Sequence, residues 1–416
     1  MASLLDLAAS KQIWQRFYEY KTSLMCTVRT AKELKSFIDE ERYLPILEKI
    51  AAGESLPLPK RSVISKMGSK KKRIVYTYPD DFNTVLKLIT YLLLRKYDGI
   101  FSKGLYSFRP GLAAKDAVMM LKRDPDLGRY YSYKVDISNY FNSIDISRFL
   151  PILRDTLEDD AELYSFLAAL LSEPKALDRG NPIEEQKGIM AGTPVASFYA
   201  NLYLKDLDRH FSESGVLYAR YSDDIIVFAE TEEETAYHAS FIRSYLNEKG
   251  LAVNPAKEQF SSPEEGAVFL GFMLKGDTVD IAPASVKKLK QKMRRKARAL
   301  QRWHKRNGVP PEKAALAFVR VFNHKLFENP SDNELTWTYW FFPVINTAKS
   351  LHEIDLYAQE CIRSLAADSH TKSRFNFRYE DMKKLGYRSL VHAYYDYSEE
   401  ERVRRSKKRA GETGSE

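Results

Sequence analysis

Adjacent aspartates occur three times, as Asp80-Asp81, Asp159-Asp160 and Asp223-Asp224, and their surroundings separate them. Asp80-Asp81 follows Pro79 and reads as a helix start, whereas Asp159-Asp160 lies in an acidic stretch and reads as an exposed part of a helix. Asp223-Asp224 sits between two apolar segments, residues 217–221 and 225–228. Two carboxylates side by side at the tip of a buried hairpin repel one another and lose hydration, so a cation is needed to neutralise them. One turn offers too few ligands. Asp136, at the end of an apolar-leaning strand through Tyr133, Val135 and Ile137, supplies a third carboxylate. Three carboxylates together with the phosphates of a nucleoside triphosphate suit Mg2+, which takes oxygen ligands and keeps some of its waters. Two such ions about 3.5 to 4 Å apart would activate a primer 3′-hydroxyl and stabilise departing pyrophosphate; Mn2+ is the alternative ion.

The elements that must carry these residues follow from the apolar pattern. Residues 130–137 read as one strand, and residues 216–228 as two more joined by a tight turn at Ser222 and Asp223. Residues 1–53 read as mainly helical, and a proline-marked link follows at 56–60. Residues 65–78 pass from a basic stretch into β-prone Ile74, Val75, Tyr76, Thr77 and Tyr78, the pattern of a hairpin with a cationic turn. Helices are expected at 82–97, from 147–153 on to 175, at 197–211 and at 232–250. Residues 104–111 and 174–192, rich in Gly and Pro, read as loops, and 267–273 reads as a further strand. Beyond residue 284 the pattern is helical, with loops at 308–311 and 329–333 and a loose charged tail from Ser398.

Hydrophobic residues make up 44% of the 416 and aromatics 12%, enough for a large core in two or three subdomains and against general disorder. Cys26 and Cys361 are too few and too far apart for a zinc site or a disulfide framework, which fits a reducing compartment. The first residues lack a signal-peptide arrangement and there is no long apolar run, so the expectation is a cytoplasmic protein without a membrane partner. The net charge is +9, yet residues 287–306 alone hold eleven Lys and Arg and no acid, so everything else nets −2. Within that stretch Val286, Leu289, Met293, Ala297, Leu300 and Trp303 recur at helical spacing, giving one packed stripe and a cationic outer face. Arg294, Arg295 and Arg298 on that face could hold nucleic-acid phosphates, the plainer alternative being a solvated surface helix.

Several segments in order carry a resemblance. Val135-Asp136-Ile137-Ser138-Asn139-Tyr140-Phe141, then Gly192-Thr193-Pro194 leading into Ala200-Asn201-Leu202-Tyr203-Leu204, then Tyr221-Ser222-Asp223-Asp224, resemble the core motifs of reverse transcriptases. The resemblance runs from about Lys66 to Phe272. It implies an α+β right-hand polymerase with fingers, an antiparallel-sheet palm and a helical thumb. The boundaries it suggests are an N-terminal helical segment at 1–60, fingers at 61–130, palm at 131–283 with a finger insertion at about 150–190, thumb and C-terminal region at 284–397, and tail at 398–416. It further implies that Asp136, Asp223 and Asp224 hold the metals with help from the Ile137 carbonyl. Arg73, and less directly Lys66, would grip the triphosphate beside Gly192. Phe141 would block a ribose 2′-hydroxyl, with core packing as its ordinary alternative role, and Lys257 would protonate pyrophosphate unless it is only a surface lysine. Phe269-Leu270-Gly271-Phe272 resembles the primer-grip strand, placing Phe269 and Gly271 on nucleic acid. Ser107-Phe108-Arg109-Pro110-Gly111 resembles a loop of the bacterial members. Met190-Ala191-Gly192 departs from the usual Pro-Gln-Gly, removing the Gln that normally lines the nucleotide pocket.

The C-terminal segment, Gly386-Tyr387-Arg388-Ser389-Leu390-Val391 to Tyr394-Tyr395 with Ile354-Asp355 upstream, is similar to bacterial defence-associated reverse transcriptases, in particular the second class, which works with a neighbouring noncoding RNA. This implies a structured noncoding RNA as template and partner, dNTP substrates, an RNA/DNA duplex product and a role in antiphage defence. A group II intron maturase and an RNA-dependent RNA polymerase are the alternatives.

Overall fold

The computed structural model describes residues 2–24, 26–65, 72–328, 336–369 and 371–412. The chain divides into two compact units, Met1–Pro263 and Glu264–Glu416. The first unit opens with four helices, Leu4–Ala8, Lys11–Ser23, Val28–Asp39 and Leu44–Ala51, as the sequence pattern predicts. Strands β1 (Lys60–Ser65) and β2 (Lys72–Thr77) form the predicted hairpin, with Ile64 opposite Arg73; its cationic turn, Lys66 included, lies outside the described residues. The Pro174 to Gly192 region is not all loop. It contains a second hairpin, β4 (Lys175–Asp178) and β5 (Asn181–Glu184), and β4 runs parallel to β1, so the finger sheet has the order β2-β1-β4-β5. The turn residues Arg179 and Gly180, both at positive φ, mark the reversal; the short, polar β4 and β5 carry no apolar alternation that would reveal them.

The palm sheet is antiparallel, in the order β6-β7-β3-β8, from β3 (Tyr131–Asp136), β6 (Tyr218–Tyr221), β7 (Asp224–Ala229) and β8 (Gln259–Ser261). Strand β7 is buried over Ile225–Ala229 and β3 is mostly buried, as near-continuous apolar central strands require. The helix Glu232–Glu248 packs against β3 and β7, and helices Ala196–Tyr203 and Lys205–Glu213 replace the single expected helix, with Leu204 at the break. Asp159-Asp160 corrects the expectation of an exposed stretch: Asp160 is buried, caps the Ala161–Ser172 helix, and accepts bonds from the Ser3 hydroxyl and the Leu4 amide.

The second unit begins with a three-stranded sheet, β11-β10-β9, formed by β9 (Ala267–Phe269), β10 (Phe272–Lys275) and β11 (Thr278–Ile281). Among the described residues these strands pair only with one another, and they lie in the second unit. The expected single strand at 267–273 is instead a reversal: Leu270 and Gly271 take positive φ, and Phe269 pairs with Phe272. The long helix Pro283–Asn307 then packs on Pro311–Phe327 and Lys349–Ala366. Its packed stripe holds Val286, Leu289, Met293 and Leu300, but Trp303 is 42% exposed and His304 takes the buried place, bonded to Asp368 at 3.2 Å. The tail expected to be loose from Ser398 continues as helix Leu390–Glu412. Asp355 anchors the start of that helix, accepting the Leu390 and Val391 amides and the Ser389 hydroxyl, which also accounts for the distant Asp355 and Ser389-Leu390-Val391 occurring together. Among the described residues no helix is long and apolar enough to cross a membrane.

Candidate active site

Strands β3 and β7 run antiparallel with Asp136 opposite Asp224, and the Ile137 amide donates to the Asp223 carbonyl at 3.0 Å. That register brings one carboxylate from the end of β3 beside two from the β6-β7 turn. Oxygens of Asp136, Asp223 and Asp224 lie within 4.8 Å of one another. The turn is tight because Ser222 adopts a left-handed conformation, φ 60°, which side chains other than glycine seldom take.

The turn is held from beneath by a buried ion pair that the sequence reading missed. Arg220 and Asp208 are both fully buried, with Nε to Oδ1 at 2.7 Å and Nη2 to Oδ2 at 2.6 Å. The same guanidinium donates to the Ser222 carbonyl at 3.1 Å and the Asn201 carbonyl at 3.2 Å, and Tyr218 donates to Asp208 at 2.9 Å. Burial alone would weaken the Arg220 charge; the Asp208 carboxylate outweighs it and holds the guanidinium pKa above its usual value. A charged residue inside an apolar strand, two positions before the turn, was the available signal. The loop 104–111 runs beside β6: the Arg220 amide donates to the Gly104 carbonyl at 2.8 Å, and the Arg220 carbonyl accepts from Tyr106 at 3.0 Å. A side chain at Gly104 would meet the Tyr218 ring at 2.8 Å, so the close approach needs glycine.

Burial first, then the Asp136 and Asp224 charges, raise the Asp223 carboxyl above its usual pKa. The Lys257 ammonium is hydrogen-bonded to Asp136 Oδ2, and Asn254 donates to the other oxygen at 3.2 Å. Three converging oxygen donors with a repelled, half-buried carboxyl fit a divalent cation, and the lysine shows that the cluster accepts positive charge.

Phe141 follows on the helix Tyr140–Ser143 and is half-buried, its ring 6.4 Å from the Phe108 ring; Phe108 in turn lies 6.5 Å from Tyr221. The Phe141 carbonyl accepts from Ile189, and a side chain at Gly188 would run into Phe141 and Asn142 backbone, so this turn is clamped to the aromatic segment. Asn142 joins the fingers to the same segment, donating to the Ile74 carbonyl at 3.3 Å and accepting from the Ala191 amide at 3.4 Å. Gly192, at φ 102°, lies so close to β2 that a Cβ would stand 2.9 Å from the Tyr76 carbonyl. Its contact is therefore with the strand bearing Arg73, whose side chain is exposed. Behind Tyr221 lies a cleft of about 310 Å3 lined by Lys21, Lys87, Arg95 and Arg109 among aromatic rings. Arg109 is paired with Asp98, whereas Arg95 stacks on Tyr91, 3.6 Å from the ring centre.

Asp136, Asp223, Asp224, Ile137 and Lys257 are thus brought together, and Arg73, Gly192 and Phe141 are linked through Asn142 and β2. Phe269, Gly271, Arg294, Arg295 and Arg298 belong to the second unit. The Phe269 ring is fully buried beside the Leu270-Gly271 turn, whose two residues are half-buried and take positive φ. Arg294, Arg295 and Arg298 are exposed on their helix.

An acidic centre on an antiparallel palm, next to a finger hairpin, is the arrangement of a right-hand polymerase. Residues 58–274 match the family "Reverse transcriptase (RNA-dependent DNA polymerase)". The chain belongs to the reverse transcriptase family. It is 21% identical over 173 residues to the Retron Ec86 reverse transcriptase of Escherichia coli, a match covering 41% of this chain and 50% of that protein. The chain thus spans about half the length of that curated relative. Among solved structures it is similar to Candida albicans telomerase in complex with a fragment of telomeric RNA, with 13% identity, TM-score 0.45, and 85% of this chain and 71% of that one covered. Apo telomerase from Candida tropicalis gives 12% identity and TM-score 0.47, with 84% and 64% covered.

Proposed function

We propose that the protein is an RNA-directed DNA polymerase that copies a structured noncoding RNA partner into DNA from dNTPs, and that this DNA synthesis serves antiphage defence. The observation that carries the polymerase reading is the convergence of Asp136, Asp223 and Asp224 from two paired strands. Mg2+ ions held there would supply activation of the primer hydroxyl and neutralisation of the phosphates. The chain's own part is positioning. Asp136 and the Asp223-Asp224 turn are fixed by strand register and by Arg220, so their charge is preorganised where negative phosphate must be brought. Arg73, projecting from the finger strand, grips the triphosphate, and Phe141 excludes a 2′-hydroxyl. The basic, aromatic cleft behind Tyr221 suits phosphate and base contacts of a nucleic acid, and Arg294, Arg295 and Arg298 offer phosphate contacts to the duplex. The noncoding-RNA and defence readings rest on the C-terminal resemblance.

The test is extension of a primed RNA template with dNTPs or NTPs in Mg2+, coupled to sequencing of the RNA and DNA that copurify with the protein and phage plating with the Asp223→Asn variant. DNA-only extension, one discrete copurifying RNA and loss of protection in the variant are expected. Ribonucleotide extension at the same rate would overturn the DNA assignment, and cDNAs mapping to random transcripts would overturn the dedicated template.

A further inference from the structure

The first unit has a groove of about 790 Å3 remote in character from the polymerase machinery. Its walls come from helices Leu4–Ala8, Leu44–Ala51 and Ala161–Ser172 and the link that follows Gly53, with Leu44, Leu47, Ile50, Leu56, Phe166 and Leu170 forming the floor. Five acids, Asp6, Glu48, Glu54, Glu162 and Glu173, stand around it, and among the described residues no Lys or Arg lines it. None of the five makes an ion pair among the described residues, in a chain whose net charge is +9. Asp6 and Glu173 accept local backbone amides, from Ser3 and Lys175, and the Glu173 charge also acts on the buried Lys187.

We infer that this groove is a docking site for a cationic amphipathic helix of a separate protein. An apolar floor alone would leave the occupant open, but the unpaired acidic rim selects positive charge and repels phosphate, which excludes RNA, DNA and an anionic lipid surface. The walls are helices and a loop, with no strand edge to receive an extended backbone, so a peptide entering the groove must satisfy its own backbone as a helix. The chain's own basic helix Pro283–Asn307 does not qualify, because its apolar stripe is already buried in the second unit. The occupant would place apolar anchors at i, i+3, i+4 and i+7 on the floor and Lys or Arg beside the rim.

The experiment uses the full chain and three labelled synthetic peptides: an amphipathic Leu/Lys helix, its Leu/Glu counterpart, and a scrambled Leu/Lys peptide of the same composition without a helical stripe. Anisotropy titrations are made against the native protein and the double variant Glu48→Lys, Glu162→Lys, two exposed positions outside the polymerase site. Primer extension by the double variant, expected at the native rate, verifies that it folds. Saturable binding of the Leu/Lys helix, at least tenfold weaker with the double variant and at least tenfold stronger than that of either control peptide, supports the docking site. Equal binding to the variant, equal binding of the scrambled or acidic peptide, or no binding overturns it. Self-association of the native protein that the double variant abolishes would also overturn it, by making a second copy of the chain the occupant.

Discussion

The ammonium of Lys257 is hydrogen-bonded to the carboxylate of Asp136, so a lysine charge already lies on the acidic cluster and would compete with a metal ion for it. Lys257 is roughly half exposed, its side chain at 43%, while that of Asp136 is at 5%; the lysine can therefore swing into solvent while the aspartate stays. Two effects should separate in Lys257→Met. With the competing charge gone, the Mg2+ concentration giving half-maximal thermal stabilisation should fall by about three- to tenfold. If the same lysine protonates pyrophosphate, the single-turnover incorporation rate should drop by about a hundredfold at saturating Mg2+. A Mg2+ titration by thermal shift and rapid-quench incorporation read the two independently.

Asp223 gives the pH dependence. Its carboxyl is raised above the usual range, by burial first and then by Asp136 and Asp224. A carboxyl whose pKa is raised on folding contributes stability below its unfolded pKa, and that contribution is lost as pH rises through the raised value. In chelator the unfolding midpoint should therefore decline as pH climbs out of the acid range, and Mg2+ should restore it by an amount that grows over the same interval. Asp223→Asn should flatten the chelator profile, abolish most of the Mg2+ response, and cut primer extension to below about one-thousandth, since the charge lost is one that stabilises the transition state. Differential scanning calorimetry across pH, with and without Mg2+, checks the sign.

Phe141 is placed against Phe108 and held by its own backbone to the Ile189 turn, so truncating the ring opens space without freeing the helix that carries it. Phe141→Ala should raise incorporation of ribonucleotides relative to deoxynucleotides by about tenfold or more, with the dNTP rate reduced less. The ratio of kcat/KM values for one templated nucleotide is the measurement. An unchanged ratio with lower stability would leave Phe141 a packing residue.

Much of this site was legible because its chemistry conflicts with its surroundings. Asp223-Asp224 stood out as charge inside apolar strands, and Asp136 as the end of another. The Asp159-Asp160 pair shows the limit: buried capping and exposed helix give the same local sequence, and only the long-range bonds to Ser3 and Leu4 distinguish them. The β4-β5 hairpin was missed because its short strands lack alternation, and the β9-β10 reversal because apolar Leu270 occupies a turn position that sequence usually marks with Asn, Asp or Gly. Asn142 and the partner of Arg220 were illegible for another reason: Arg220 stood out as a charge inside an apolar strand, but nothing local pointed to Asp208. Their roles depend on partners brought together from separate elements, and neither has a motif.

That pair permits the last prediction. Asp208→Asn leaves the Arg220 charge buried without its counter-ion, which should cost about 3 to 5 kcal/mol and lower the unfolding midpoint markedly. Replacing both, Asp208→Leu with Arg220→Met, removes the uncompensated charge and should recover most of that stability. It cannot restore the bond from the Arg220 guanidinium to the Ser222 carbonyl, so the catalytic turn loses its hold even in a well-folded protein. The double variant should therefore unfold near the native midpoint yet incorporate nucleotides at least tenfold more slowly, with KM for dNTP changed less than kcat. Calorimetry and steady-state incorporation on the same preparations decide it: a stable double variant with native kcat would show that Arg220 serves only folding.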